Sequence, residues 1–189
     1  MDKRLTIAAV AVVATIAASR AHVDFLIVAF GLAVSVFDED QEAIAFQMGL
    51  KGHDPETIRK AQEIGAAAGA LFETGFTEGF REFEAVREKY RDEPWFKDVY
   101  GNFTHIFLAM SPEELRAAGE KYRWGTPLRY DPMPTLKALR APQLWIVGGQ
   151  DIDAPSGETV RRLEGLIAQG RPITLAIYPN AEHGMTEFE

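Results

Sequence analysis

Ala141-Pro142-Gln143-Leu144-Trp145-Ile146-Val147-Gly148-Gly149-Gln150-Asp151 is the stretch on which the reading of this chain turns. A mostly apolar run between a proline and a glycine pair suits a strand buried in a sheet, and the aspartate follows in the turn. The pattern returns in Ile173-Thr174-Leu175-Ala176-Ile177-Tyr178, followed by Pro179-Asn180-Ala181-Glu182-His183-Gly184. Between the two strands, Ser156 to Gln169 sets Val160, Leu163, Leu166 and Ile167 on one helical face. Gly170 stands where a helix C-cap is expected. Strand, acidic turn, helix, strand and histidine turn make a parallel β-α-β unit. It brings a carboxylate and an imidazole to the carboxyl ends of two successive strands.

Upstream, Val23 to Phe30 reads as another buried strand, and Arg4 to Ala8 as a weaker one. Val10 to Arg20 would be the crossover helix between them. The expected sheet is mostly parallel, with about four strands, and the stronger ones are expected to be covered on both faces. Residues 37–125 differ in kind and read as helices almost throughout. Asp38 to Leu50 is one. Asp54 as N-cap and Pro55 as first helical residue open a second, to about Glu73. Thr77 to Tyr90 is a third, and Ser111-Pro112-Glu113-Glu114 is a capping box for a fourth, to about Tyr122. The expected fold is therefore α/β with a large helical cap insertion. Residues 1–36 and 126–189 build the core, and residues 37–125 the cap or lid.

Composition narrows the function. The chain has 189 residues, 47% of them hydrophobic, enough to bury a sizeable core. The formal net charge is -8, with no run of Lys or Arg, so nucleic acid and anionic membrane surfaces are not the expected partners. There are no cysteines, which removes disulfides and thiolate metal sites. No glycine-rich phosphate loop follows a strand, and neither a cofactor nor a metal is expected. Asp2-Lys3-Arg4 before the apolar run Leu5 to Ala18 has the form of a secretory signal. That run is short for a membrane span. A cytoplasmic location is expected, with export through this segment as the alternative.

The acid segment, from Tyr130-Asp131-Pro132 through Leu136, Leu139 and Ala141-Pro142 to Asp151 and Pro155, resembles that of the α/β-hydrolase fold, of the serine esterase and peptidase kind. Tyr178 to Gly184 is similar to the family's histidine loop. Val23 to Val28 with Gly31 is similar to the strand after its nucleophile helix, and the helical block to its cap. The resemblance covers most of the chain from about residue 20. It implies hydrolysis of a small-molecule ester or amide, with His183 as general base and Asp151 as the acid that orients it. Asp153 is the rival acid. The family's Gly-x-Ser-x-Gly elbow is absent. It should fall within Thr6-Ile7-Ala8-Ala9-Val10-Ala11-Val12-Val13, where Ala8 or Ala11 holds the serine's place and no glycine is found. The family's domain also has another half-sheet before this point. The alternative is thus an inactive or truncated homologue that binds or dimerises, with a second copy or a partner chain covering the sheet edge near Leu5 to Ala8.

Other residues read more plainly. His105 lies in an apolar segment and suits lid packing. His53 suits a surface turn, and His22 borders a strand. Ser35 follows a strand, where it could line a pocket mouth. Asp38-Glu39-Asp40 with Glu42 suits a solvated helix start rather than a cation site. Phe72, Phe76, Phe80 and Phe83 fall at helical spacing, as lid packing or as the wall of an acyl pocket. Gly65, Gly69, Gly75 and Gly79 would let the helices approach closely.

Overall fold

A computed structural model describes residues 15–119 and 128–184. It is a mixed α/β structure with a small sheet, all parallel, of three strands in the order β1-β2-β3. These are β1 (Leu26–Ala29), β2 (Gln143–Gly148) and β3 (Ile173–Tyr178). The helices are α1 (Val36–Leu50), α2 (Pro55–Glu73), α3 (Phe80–Tyr90), α4 (Thr104–Leu108), α5 (Pro112–Ala117), α6 (Met133–Ala138) and α7 (Gly157–Ala168). Residues 15–20 are also helical. The chain divides into two compact units. One joins the segment up to Glu39 with Arg129 onward, and the other is Asp40–Leu128.

In the first unit, β2 pairs with both neighbours. Leu26, Gln143 and Ile173 stand abreast, as do Val28, Trp145 and Leu175. Trp145 is the centre of the core, with Val28, Leu136, Leu139, Leu163 and Leu166 around it. Gln143 looks out of place in such a strand. Its reason is the indole: Trp145 Nε1 donates to Gln143 Oε1 at 3.1 Å, two residues back on the same face. Gly170, at φ +76°, ends α7 as the sequence suggests, with Arg171 N–H returning to Leu166 O.

Several expectations need correction. The described residues form three strands rather than four; the stretch read as the first, residues 4–8, lies outside them, as do residues 10–14 of the crossover helix and 120–127 around the end of the helix opened at Ser111. β1 is shorter than residues 23–30. The strands are not covered on both faces: Ile27 is 56% exposed and Ile177 47%. Helices α6 and α7 supply the core on the Trp145 side, and Ile27 points the other way. The inner stripe of α7 is Thr159, Leu163 and Leu166, while Ile167 is 38% exposed.

The second unit is helical. Asp54 caps α2, accepting from the N–H groups of Glu56 and Thr57, and Pro55 opens it. Ser111 and Glu114 form the capping box of α5. Phe72 and Phe76 meet Phe103 and Phe107 in a ring cluster with centroids 5.1–5.9 Å apart. Phe72 to Phe83 is not one helical face, because α2 ends at Glu73 and a turn with Gly75 and Gly79 at φ +63° and +89° separates it from α3. Those glycines serve the turn, whereas Gly65 does serve close packing: a Cβ there would meet Ile44 Cδ1 at 2.5 Å.

Glu39 and Asp40 are buried, not solvated. Asp40 Oδ1 accepts from the N–H groups of Phe103 and Thr104, at 2.8 and 3.2 Å, and Oδ2 from the Thr104 hydroxyl at 2.6 Å. Burial pushes its carboxyl up to about 6, against the three hydrogen bonds that lower it. The folded state thus holds the proton more tightly than the unfolded chain does. The stabilisation by that proton is complete below the unfolded value of 3.8 and is lost as pH rises through about 6. An asparagine keeps the shape without the charge. The stability difference between wild type and Asp40→Asn should therefore shift toward the wild type by about 2 kcal/mol between pH 7 and pH 4. Denaturant curves across that range check this, and parallel pH profiles would refute it.

Candidate active site

The site is built where β2 and β3 end. After Gly148 the chain turns, and Gly149 N–H donates to Tyr178 O at 2.8 Å and Gln150 N–H to Ala181 O at 3.0 Å. The loop after β3 therefore lies directly on the turn after β2. Only glycine permits this approach. A Cβ on Gly148 would sit 2.5 Å from Ala181 O, and one on Gly149 2.7 Å from Pro179 O. Both obstacles are backbone, so a larger residue could not be accommodated by moving a side chain. The Gly148-Gly149 pair, read from sequence as a strand boundary, is what brings the two loops together.

That contact joins the residues expected to form the site. His183 Nδ1 donates to Asp151 Oδ2 at 2.9 Å. Asp151 Oδ1 accepts from Asp153 N–H at 3.1 Å and Ala154 N–H at 2.7 Å. With its oxygens placed as acceptors, the aspartate fixes the proton on Nδ1 and turns the lone pair of Nε2 away from itself. The Asp151 side chain is 3% exposed and that of His183 17%. Asp151, not Asp153, takes the imidazole; Asp153 gives its backbone N–H to Asp151 and acts on His183 only through its charge. The hydrogen bond to Asp151 holds the His183 pKa above its ordinary value, burial opposes it, and the charges of Asp151, Asp153 and Glu182 add to it.

Nε2 of His183 is buried and has no hydrogen-bond partner among the described residues. The hydroxyls nearby are engaged elsewhere. Ser156 Oγ donates to Gly148 O at 3.2 Å, and Thr159 Oγ1 accepts from Ala33 N–H at 3.1 Å. Ser35 caps the start of α1, its Oγ accepting from Asp38 N–H at 3.0 Å. Ala8 and Ala11 lie outside the described residues. A recess beside Asp151, bordered by Phe30, Gly31, Gly148, Pro155 and Ser156, has about 10 Å³ of free space, which suits one water and not an acyl substrate.

Phe30 is the residue that sequence reasoning missed. It closes β1 with a left-handed backbone, φ +55°, while its N–H still donates to Ile146 O at 3.1 Å. For a bulky residue that conformation costs about 1 kcal/mol or more. Its ring lies on the imidazole of His183, centroids 4.8 Å apart and planes tilted by 39°. Gly31 after it was the available signal of an unusual turn, but nothing local announces the positive φ of the phenylalanine.

The other histidines lie elsewhere. His105 Nδ1 meets Gly101 O at 2.5 Å and stacks on Tyr100. His53 pairs with Asp98 at 3.0 Å, and His22, in the exposed approach to β1, with Asp24 at 3.6 Å. Among the described residues no cluster of His, Cys, Asp or Glu suits a metal ion, and no helix is long and apolar enough to cross a membrane. No family model matches the chain, and no curated protein or solved structure matches it either.

The acid–base geometry can be checked by titration. Removing the carboxylate in Asp151→Asn takes away the largest cause that raises the His183 pKa and leaves burial, which lowers it. The imidazole should then titrate lower than in the wild type. Histidine NMR resonances followed against pH give both values, and an unchanged midpoint would contradict the pairing.

Proposed function

We propose that this chain is an α/β-hydrolase-like protein whose His183 and Asp151 are the base and orienting acid for acyl hydrolysis of a small ester or amide. The observation that carries the reading is the 2.9 Å hydrogen bond between Asp151 and the Nδ1 of His183 at adjacent strand ends. It leaves Nε2 in the tautomer that accepts a proton. In such chemistry a hydroxyl or a water oxygen attacks the carbonyl carbon, Nε2 takes its proton, and the imidazolium returns that proton to the leaving group. Asp151 stabilises the imidazolium without itself being protonated.

The sequence has no Gly-x-Ser-x-Gly elbow, so water is the nucleophile available to the chain by itself. The isolated protein should hydrolyse nitrophenyl acetate slowly, at the level of a positioned general base, about 10²-fold above background. That increment should vanish in His183→Ala. A fluorophosphonate probe should leave the protein unlabelled. Equal rates for wild type and His183→Ala would remove the acyl-transfer reading, and labelling of a serine would show a nucleophile that the sequence motif does not reveal.

A second reading rests on β1. It is an outer strand of the described sheet, and Phe25 just before it and Ile27 within it are 64% and 56% exposed. Unpaired strand edges with apolar flanks favour association. As a binding module, the chain would dimerise through this edge. Light scattering after size exclusion should then give twice the chain mass, and Ile27→Lys should give the monomer. A monomeric wild type would rule this reading out.

A further inference from the structure

We infer that Phe30 is a positioning residue for His183: its ring, set by the left-handed backbone at the end of β1, holds the imidazole on Asp151 and covers one face of it. This rests on the general-base reading of the same site and adds a residue that neither the acid turn nor the histidine loop contains.

Three observations converge on it. Phe30 is a phenylalanine at φ +55°, where glycine is the comfortable residue, so the position retains a ring against a backbone preference. That ring is packed on the imidazole at 4.8 Å between centroids. The imidazole's Nε2 is buried without a partner among the described residues, although a ring nitrogen is a good acceptor and leaving it unmatched is unfavourable. Strain and an orphaned polar atom, side by side, are the marks of a site held ready rather than relaxed. Phe30 also borders the one-water recess beside Asp151.

The chemistry follows from what faces the imidazole. Asp151 and Asp153 from the turn after β2, and Glu182 from its own loop, all favour the cation. The end of β1 contributes Phe30 and Gly31, neither of them charged. An apolar ring against the imidazole excludes water and favours the neutral form. Phe30 thereby opposes the protonation that the three carboxylates favour, and it hinders rotation of the ring away from Asp151.

The test reads the histidine directly. Nitrogen-15 NMR of the imidazole should show a single Nδ1–H tautomer in the wild type and in Phe30→Tyr. In Phe30→Ala the His183 pKa should rise as water replaces the ring, and its tautomers should mix. Carbethoxylation of His183 by diethyl pyrocarbonate, located by peptide mass mapping, should be several-fold faster in Phe30→Ala. Phe30→Gly suits the positive φ and carries the same test if the alanine variant does not fold. An unchanged pKa, tautomer and modification rate in a folded variant overturns the inference. Ester turnover does not enter these readouts. A wild type that fails to hydrolyse esters yet shows the histidine changes would remove the proposed activity and leave the role of Phe30 standing.

Discussion

Backbone pressed against backbone is the constraint on which the first unit's site depends. The turn after β2 and the loop after β3 are stitched by two hydrogen bonds, from Gly149 and Gln150, and no Cβ fits between them. The acid–base pair is a consequence of that contact. Asp151 and His183 meet because their loops are already in register, and the register comes from parallel pairing that runs from Gln143 opposite Ile173 to Gly148 opposite Tyr178. A slip of one residue would turn the core residue Trp145 to the other face. Core and site are therefore specified together: the residue that fills the interior is the residue that fixes where the strands end.

The second unit solves a different problem with similar means. Its helices carry good end signals, but α4 has only five residues and no side-chain cap of its own. A carboxylate from α1 supplies one, since Asp40 accepts the N–H groups of Phe103 and Thr104. A buried carboxyl is unfavourable, and its three hydrogen bonds offset part of that cost. Both units thus contain a buried aspartate that organises a loop through backbone N–H groups. Only Asp151 has an imidazole on its second oxygen, and that distinguishes a structural clasp from a site able to move protons.

What was legible in the sequence was local. The bounds of β3, the Asp54-Pro55 start of α2, the Ser111–Glu114 box and the Gly170 stop all rest on residues a few positions apart, where capping and turn chemistry act. The pairing of Asp151 with His183 was legible because each follows a strand of the same β-α-β unit. The burial of Asp40 was not, because its partners lie 63 and 64 residues away and its own neighbours, Asp38 and Glu39, look like a solvated helix start. The half-open sheet was missed for a related reason. An apolar run such as Leu26 to Ala29 has the same composition whether one face or two are covered, and only the packed elements decide. Phe30 stayed hidden because sequence patterns assign left-handed backbone to glycine and asparagine.

The span of the His183–Asp151 hydrogen bond has a consequence for how such a site could spread. The two residues are 32 positions apart, and the strand pairing and glycine contacts that align them lie within residues 143–183. The hydrogen-bonded pair is thus encoded as one uninterrupted cassette. Recombination that grafted this stretch onto another parallel sheet would carry the pair intact and leave the host to furnish a nucleophile, a substrate pocket and the aromatic cover.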